Sequence, residues 1–364
     1  MKIKKFILCI LTIGLLFLTN ACTSKDSATD TQAKLNIVTN IFPTYDWVRE
    51  ITKGGDVNVS YLTDTGVSLH NYEPSAEDIK KIKESDLFVY LGSHSDKWAD
   101  KILSENPNLK VIKLMDVLEA NILDEEVKEG MEDHHDHDHD HEHDDHDHKD
   151  ADHDHNHDEE DKHDENDEHN HDHNHEDEHS HEHHHDHHHE DEHVWLSIKN
   201  AQLICKAIEE KLSEIDSKNK DLYAKNLNNY LQKLNNLDNE YIKEINSSKD
   251  KTLIFADRFP FRYLTEDYDL DYYAAFTGCS ADAEASFDTI VFLVKKLDEL
   301  NINSVFTLTD SDGKIARTII ENSKKDIKIL KLNSMESINK DQAQEGTYID
   351  YMKDNLKSIV QGLE

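Results

Sequence analysis

The sequence lacks the features that mark several common classes of protein. The 364-residue chain has a formal net charge of −38 and no basic patch that would suit nucleic acid or an anionic membrane surface. It has no phosphate-binding loop, no redox motif and no nucleophile beside a base, so the sequence does not indicate an enzyme. Its apolar run from Phe6 to Leu18 is too short for a stable membrane span. The chain is long enough for two globular lobes.

The apolar run belongs to a predicted N-terminal export signal. Lysines precede the run, and the small residue Ala21 stands immediately before Cys22, as in a cleaved signal. A Cys in this place resembles the lipobox of bacterial lipoproteins. In that case residues 1–22 are the lipoprotein signal, and Cys22 carries lipid that anchors the chain to the outer face of the cytoplasmic membrane. Thr19 stands where lipoboxes prefer Leu, and ordinary secretion is the alternative. The polar residues 23–34 would form a flexible tether.

Cysteine is scarce in the rest of the chain. Because Cys9 lies inside the signal, only Cys205 and Cys279 remain in the folded part. Two cysteines in an exported protein are compatible with a disulfide, but the sequence does not show that their Cα atoms come within bonding range. Two free thiols are the alternative, and the sequence leaves both open.

One segment, residues 132–192, is dominated by His and acidic residues, and we call it the histidine tract. Residues 134–193 hold 25 of the 27 histidines, and residues 132–192 hold 29 Asp and Glu. Because the segment has no apolar face, we expect residues 132–192 to form a disordered loop when metal-free. The sequence HEDEH occurs twice here, at His175–His179 and His189–His193, which matches a zinc-protease motif. In a stretch composed almost only of these letters, we interpret both matches as chance recurrences.

On either side of the tract, predicted strands alternate with predicted helices, which indicates a parallel sheet in each lobe. In the first lobe, residues 35–131, strands are predicted at 35–39, 57–62, 86–92 and 108–114. In the second lobe, residues 250–364, they are predicted at 251–256, 270–276, 304–308 and 327–332. Residues 193–249 are predicted to be helical with a break at 215–218, and an apolar stripe runs from Tyr223 to Ile245. The predicted fold class is α/β, with two parallel-sheet lobes joined by a long helix.

Several stretches together resemble one family. They are IVTNIFPTYDWVREI, TGVSLHNYEPSAEDI, LFVYLGSHSDKW, DEHVWLSIKNAQ and FTGCSADAEASFDTI. They are similar to segments of the zinc and manganese solute-binding lipoproteins, the cluster A-I receptors of ABC transporters. The resemblance covers about residues 35–364 and places the histidine tract where zinc-specific members carry theirs. It implies a metal site in the cleft between two lobes.

Carried over residue by residue, the resemblance implies that His70 and His193 are metal ligands, and imidazole suits Zn²⁺. The family's third ligand is usually a His, but LIFADRFPFRYL has none, and Asp257 stands nearest to that place. A helix-capping role is the alternative for Asp257. Asn333 stands where manganese receptors have a carboxylate, which favours zinc and leaves water to complete the site. Two acidic positions of the family pattern are interpreted as structural: Glu73 and Glu284.

The resemblance also implies an activity and partners. We expect an extracytoplasmic, monomeric binding protein that captures Zn²⁺, with Mn²⁺ as the second candidate, and delivers it to the permease of an ABC importer. The tract would bind further zinc ions weakly through its imidazole and carboxylate groups, or would be only an acidic spacer. Two other functions remain open. One is a surface zinc buffer or chaperone in which the tract is the functional part, and the other is a metal-dependent adhesin.

Overall fold

A computed structural model of the protein describes residues 34–132, 189–279 and 285–364. Four predicted features lie outside these residues: the export signal with Cys22, the tether up to residue 33, residues 133–188 of the tract, and Glu284.

The first lobe is built on a parallel sheet with strand order β2-β1-β3-β4. Its strands are β1 (Leu35–Thr39), β2 (Val57–Tyr61), β3 (Leu87–Tyr90) and β4 (Val111–Lys113), and its helices are α1 (Phe42–Thr52), α2 (Ala76–Lys83), α3 (Trp98–Glu105) and α4 (Leu114–Leu118). Local sequence accounts for the helix starts. Pro43 lies in the first turn of α1, where a missing N–H is tolerated, and Ser75 forms a capping box with Asp78 at the start of α2.

Two helices connect the lobes, and both agree with the prediction. They are α5 (Ile198–Ile215) and α6 (Lys220–Ser247), and a 3-10 turn at Ser217–Asn219 separates them where a break was predicted. Helix α6 buries the predicted stripe, namely Tyr223, Leu227, Tyr230, Leu234, Leu237, Tyr241 and Ile245. Its 28 residues span about 42 Å at about 1.5 Å per residue.

The second lobe repeats the arrangement of the first. Strands β5 (Thr252–Phe259), β6 (Asp271–Thr277), β7 (Ser304–Leu308) and β8 (Lys328–Leu332) form a parallel sheet in the order β6-β5-β7-β8. Its helices are α7 (Arg262–Tyr268), α8 (Phe287–Glu299), α9 (Lys314–Asn322), α10 (Gln342–Glu345) and α11 (Tyr348–Gly362). Two parallel sheets joined by a long helix confirm the predicted fold class.

Each sheet separates two apolar layers. Because successive side chains of a strand point to opposite faces, Ile37 and Val38 belong to different buried clusters, and so do Phe255 and Ile254. The outer faces pack on helices of their own lobe. The inner faces of both sheets, together with residues of α1, α5, α6 and α11, form one buried cluster that extends from Ile37 to Leu363. The two lobes therefore share a core.

The elements differ from the prediction in two places that matter for the site. The predicted fourth strand ends at Lys113 and runs directly into α4, which the sequence pattern did not indicate. Strand β5 continues beyond the predicted residue 256 to Phe259, with a bulge between Phe255 and Arg258.

Across the described parts of the chain, no helix combines the length and the apolar character needed to cross a bilayer.

Candidate metal centre

A group of polar side chains collects where the strands of both sheets end. In parallel sheets, the loops at the carboxyl ends of strands are the usual place for a ligand. The residue that follows the histidine tract, His193, belongs to this group and lies directly before a 3-10 turn at Val194–Leu196. The members are His70 after β2, Ser95 after β3, His193 after the tract, Arg258 in β5, Cys279 after β6 and Glu336 after β8.

His70 has one ring nitrogen held and the other directed to the centre. Its Nδ1 lies 2.9 Å from Oγ of Ser95, and that hydroxyl donates to Glu192 at 2.5 Å. Its Nε2 lies 3.2 Å from Nε2 of His193. The side chain is 9% exposed, so the ring has little freedom to turn away.

His193 is fully buried and is held in the same manner. Oδ1 of Asp191 lies 3.0 Å from Nδ1 of His193 and accepts the backbone N–H of His193 at 2.8 Å. The hydroxyl of Tyr263 donates to the carbonyl oxygen of Asp191 at 2.8 Å. A carboxylate on the far nitrogen is the usual support of a metal-binding His, because it fixes the tautomer and the ring orientation. The structure thus leaves Nε2 of both histidines facing one point.

Glu336 supplies a carboxylate at that point, and sequence reasoning missed it. Its Oε1 lies 3.2 Å from Nε2 of His193, and its Oε2 lies 3.6 Å from Nε2 of His70. Met335 has a left-handed backbone with φ of 61°, and its N–H donates to Oδ1 of Asn333 at 2.8 Å. This turn places Glu336, not Asn333, beside the histidines. The structure therefore places a carboxylate where an amide was expected, and the expectation of zinc no longer rests on the argument from Asn333.

The two histidine nitrogens and the carboxylate of Glu336 have spacings close to those of ligands around a tetrahedral zinc ion. The two Nε2 atoms are 3.2 Å apart, Oε1 of Glu336 is 3.2 Å from that of His193, and Oε2 is 3.6 Å from that of His70, whereas ligands at about 2.0–2.1 Å from a tetrahedral Zn²⁺ are about 3.3–3.4 Å apart. Sγ of Cys279 and a ring nitrogen of each histidine lie within 4.8 Å of one another. The residues present therefore fit a zinc ion as a bound substrate.

Arg258 borders the three donors. Its Nη1 donates to Oε1 and Oε2 of Glu336 at 3.1 and 2.9 Å, and to the carbonyl oxygen of Gly278 at 3.2 Å. A cavity of about 560 Å³ lies alongside, with Asp257, Asp310 and Lys314 among its lining residues. A fixed positive charge thus lies beside Glu336 and lines the same cavity as His70.

The charges of the centre are strongly coupled. Burial by itself would lower the pKa of His193, but Asp191 and Glu336 outweigh it and raise that pKa to about 10. Burial lowers the pKa of His70, and the neighbouring His193 adds to this effect against Glu336. Burial would raise the pKa of Glu336, but Arg258 and both histidines hold it well below its usual range. An entering divalent ion therefore meets an ionised carboxylate and must displace a proton from His193.

The contacts of Asp257 differ from those expected of a metal ligand. Its Oδ1 accepts the backbone N–H of Arg258 at 2.9 Å, and its Oδ2 accepts that of Leu308 at 3.2 Å. Both carboxylate oxygens of Asp257 are thus engaged by backbone N–H groups. The bulge in β5 re-aims the side chains that follow it, and Arg258 meets Glu336. The alternative, a cap on the following helix, is not formed either, because these N–H groups belong to Arg258 and Leu308 whereas α7 begins at Arg262.

Both described cysteines are free thiols, so the disulfide alternative is not formed. Cys205 is fully buried in the shared core. Cys279 lies beside the histidines, and its backbone N–H donates to Oε1 of Glu125 at 3.1 Å. Glu73, interpreted as structural, is exposed and lies outside the cluster.

The described HEDEH segment, His189–His193, does not form a protease motif. The motif needs both histidines on one helix face. Here residues 189–193 are not helical: Glu190 forms an antiparallel bridge with Asp124, and the carbonyl oxygen of His189 accepts the N–H of Glu125 at 2.8 Å. The acidic residues between the histidines have other partners, since Asp191 supports His193 and Glu192 supports Ser95.

The sequence matches a known family over most of its length. The family model described as zinc-uptake complex component A, periplasmic, or ZnuA, matches residues 37–362. The chain belongs to the ZnuA family. This confirms the resemblance to the zinc and manganese solute-binding proteins that the sequence motifs indicated.

Two curated relatives show how this ZnuA-family chain compares in length. It is 28% identical over 360 residues to the zinc-binding lipoprotein AdcA of Streptococcus pneumoniae (strain ATCC BAA-255 / R6), which covers 98% of this chain and 61% of AdcA. It is 28% identical over 345 residues to the high-affinity zinc uptake system protein ZnuA of Bacillus subtilis (strain 168), covering 93% and 91% of the two chains. The chain thus spans about three fifths of the length of AdcA.

Solved structures agree with the fold. The Zn(II)-bound ZnuA-like domain of Streptococcus pneumoniae AdcA has a TM-score of 0.62 and 25% identity, covering 91% of this chain and 99% of that domain. The laminin-binding protein Lmb of Streptococcus agalactiae, described as having adhesin and metal-transporting activity, has a TM-score of 0.64 and 20% identity, covering 91% and 100%. The second likeness shows the fold alone. These relatives are named for binding and uptake rather than for catalysis, as expected for a chain that is not an enzyme.

Proposed function

We propose that this ZnuA-family chain captures one Zn²⁺ between its lobes outside the cytoplasm and delivers it to the permease of an ABC importer. The family description, a zinc-uptake complex component, supports this function. We further propose that the protein is a monomer anchored through lipid on Cys22. The lipobox-like sequence and the naming of AdcA as a lipoprotein support the anchor.

The single observation that carries the proposal is the group of donors formed by His70, His193 and Glu336. The two Nε2 atoms are 3.2 Å apart and lie 3.6 and 3.2 Å from the two oxygens of Glu336, spacings that suit ligands of a tetrahedral ion. Separate groups hold Nδ1 of both histidines, so Nε2 of each ring is directed inward before the ion arrives. Two imidazoles favour zinc over harder ions such as Mg²⁺ and Ca²⁺.

The proposal assigns the histidine tract a secondary role. It would bind additional zinc ions weakly, because its sequence has no apolar face with which to hold its donors in a fixed geometry. Two folded lobes position the donors of the cleft, so we expect their affinity to be higher. The tract would then raise the local zinc concentration beside His193, which follows it directly in the sequence.

Competition titration with a fluorescent zinc chelator tests the proposal. His70→Ala should abolish the tightest binding step, and Glu336→Gln should weaken it by about 10–100-fold, the range seen when groups of a metal site are removed. Glu73→Gln is the matched control, because it removes the charge of an exposed carboxylate outside the cluster. Unchanged affinity in both His70→Ala and Glu336→Gln would show that zinc binds elsewhere, as in the surface-buffer alternative.

Delivery needs a separate measurement. Zinc-limited growth of cells that lack their own receptor should be restored by the wild-type chain only when the matching permease is present. The His70→Ala variant should fail in the same cells while accumulating to the same level. Restored growth without the permease would instead support the buffer or chaperone alternative.

A further inference from the structure

We propose that Cys279 supplies the fourth donor of the metal centre as a thiolate and makes the centre selective for thiophilic divalent ions, zinc and cadmium, over manganese. The inference rests on the proposed function and adds its ion selectivity. It is carried by the position of one thiol beside the two histidines.

The backbone at Gly278, directly before Cys279, passes close to the ring of His193. Cys279 follows β6 directly after Gly278, and a Cβ at Gly278 would lie only 2.9 Å from Cε1 of His193 and from the carbonyl oxygen of Phe259. Only glycine permits this approach, because real Cβ contacts are longer. Sγ of the next residue, Cys279, and a ring nitrogen of each histidine lie within 4.8 Å of one another. Because a Zn–S bond is about 2.3 Å long, coordination of a common ion would draw the thiol closer to both rings.

Two contacts hold the segment of Cys279 against the rest of the centre. Arg258 donates to the carbonyl oxygen of Gly278 with the same Nη1 that binds Glu336. The backbone N–H of Cys279 donates to Oε1 of Glu125 at 3.1 Å. The backbone beside the thiol is thus tied through Arg258 to the carboxylate donor and through Glu125 to the first lobe.

Cys205 shows that this placement is not a general property of thiols in the fold. It is fully buried among apolar side chains of the shared core and is not part of the metal cluster. Coordination by Cys279 would replace its S–H bond with a sulfur–metal bond, and the proton would leave to solvent. Thiolate and imidazole donors select zinc and other thiophilic ions, whereas manganese prefers oxygen donors. With His70, His193, Glu336 and Cys279, the centre would have two nitrogens, one oxygen and one sulfur.

Titration of the full chain with Co²⁺ reports sulfur coordination directly. The histidine tract contains no cysteine, so cobalt bound there contributes no sulfur signal. We expect a thiolate-to-cobalt charge-transfer band in the near ultraviolet for the wild type and for Cys205→Ala, and its loss in Cys279→Ser. In zinc and manganese competition, Cys279→Ser should reduce the preference for zinc by at least about tenfold, the lower end of what changes around a metal site cost.

The outcomes separate this inference from the proposed function. If the wild type binds zinc tightly, if this binding requires His70, and if no thiolate band appears, the role of Cys279 is refuted and the receptor function stands. A band that persists in Cys279→Ser would assign the signal to another thiol and would also overturn the inference. Tight zinc binding that survives in both His70→Ala and Cys279→Ser would contradict the receptor function itself.

Discussion

Replacing Arg258 with Gln should make the tightest zinc-binding step stronger. Nη1 of Arg258 lies 3.1 and 2.9 Å from the two carboxylate oxygens of Glu336. An ion bound to Glu336 at about 2.0–2.2 Å would therefore stand about 4–5 Å from the guanidinium charge. The side chain of Arg258 is only 15% exposed, so water screens this repulsion incompletely.

The magnitude follows from Coulomb's law. Two unit charges 4 Å apart interact by about 1 kcal/mol in water and by about 4 kcal/mol at an effective dielectric constant of about 20. A divalent ion doubles these values. We use the lower limit, about 2 kcal/mol, because the cavity of about 560 Å³ beside Arg258 opens to the cleft and because Arg258 also orients Glu336. Removing the charge should then tighten zinc binding by about 10–30-fold.

Competition titration against a chelator measures this change, and two variants serve as controls. Arg262→Gln removes the same charge from α7, where Arg262 pairs with Glu126 and Glu266 outside the centre, and should leave the affinity unchanged. Arg258→Lys keeps the positive charge and should stay near wild type. Weaker binding in Arg258→Gln, with Arg262→Gln unchanged, would refute the reasoning and make Arg258 a support of Glu336 rather than a competitor of the ion.

Three further predictions follow from other contacts. Deleting residues 134–188 should lower the number of zinc ions bound at high zinc concentration, but the tightest binding step should remain in calorimetry because Asp191 to His193 are kept. Loss of that step would show that the tract is the receptor. Asp257→Ala should change zinc affinity by less than about threefold. It should lower the free energy of unfolding by about 1–3 kcal/mol in denaturant melts, because it leaves two backbone N–H groups unpaired. A large loss of zinc affinity with normal stability would instead indicate that Asp257 is a ligand. Burial raises the pKa of Asp46 to about 6 from 3.8, so its stabilising contribution is full below about pH 4 and is lost as pH rises through 6. Asp46→Asn should therefore raise the free energy of unfolding at pH 7.5 by up to about 3 kcal/mol but hardly at pH 4, and an equal change at both pH values would contradict this assignment.

Most of the fold could be predicted because it depends on patterns that the sequence displays. The stripe of α6 repeats at helical spacing, and the break before it falls where a 3-10 turn is found. Strands alternating with helices led directly to two parallel sheets. Helix α4 was not predicted because it follows β4 without a connecting loop, so no turn residues in the sequence mark the boundary between the two.

The candidate site was less predictable because it depends on backbone geometry. Asn333 and Glu336 are both polar residues in one short stretch, and only the left-handed backbone of Met335 decides which of them meets the histidines. A bulge in β5 likewise decides that Arg258, and not Asp257, meets Glu336. Neither feature has a signature in the sequence, since left-handed residues other than glycine are rare and bulges have no fixed motif.

Because the two lobes share a core, zinc binding should also affect how fast the whole protein is degraded. Since the inner faces of both sheets lie in one buried cluster with α6, neither lobe keeps a complete core once the other unfolds, and the molecule should melt as one cooperative unit. A ligand that binds only the folded state adds about 2.7 kcal/mol when present at about 100 times its Kd. Receptors loaded with zinc would then resist surface proteases, and empty receptors would be degraded first, so that zinc supply sets the abundance of the protein as well as its occupancy.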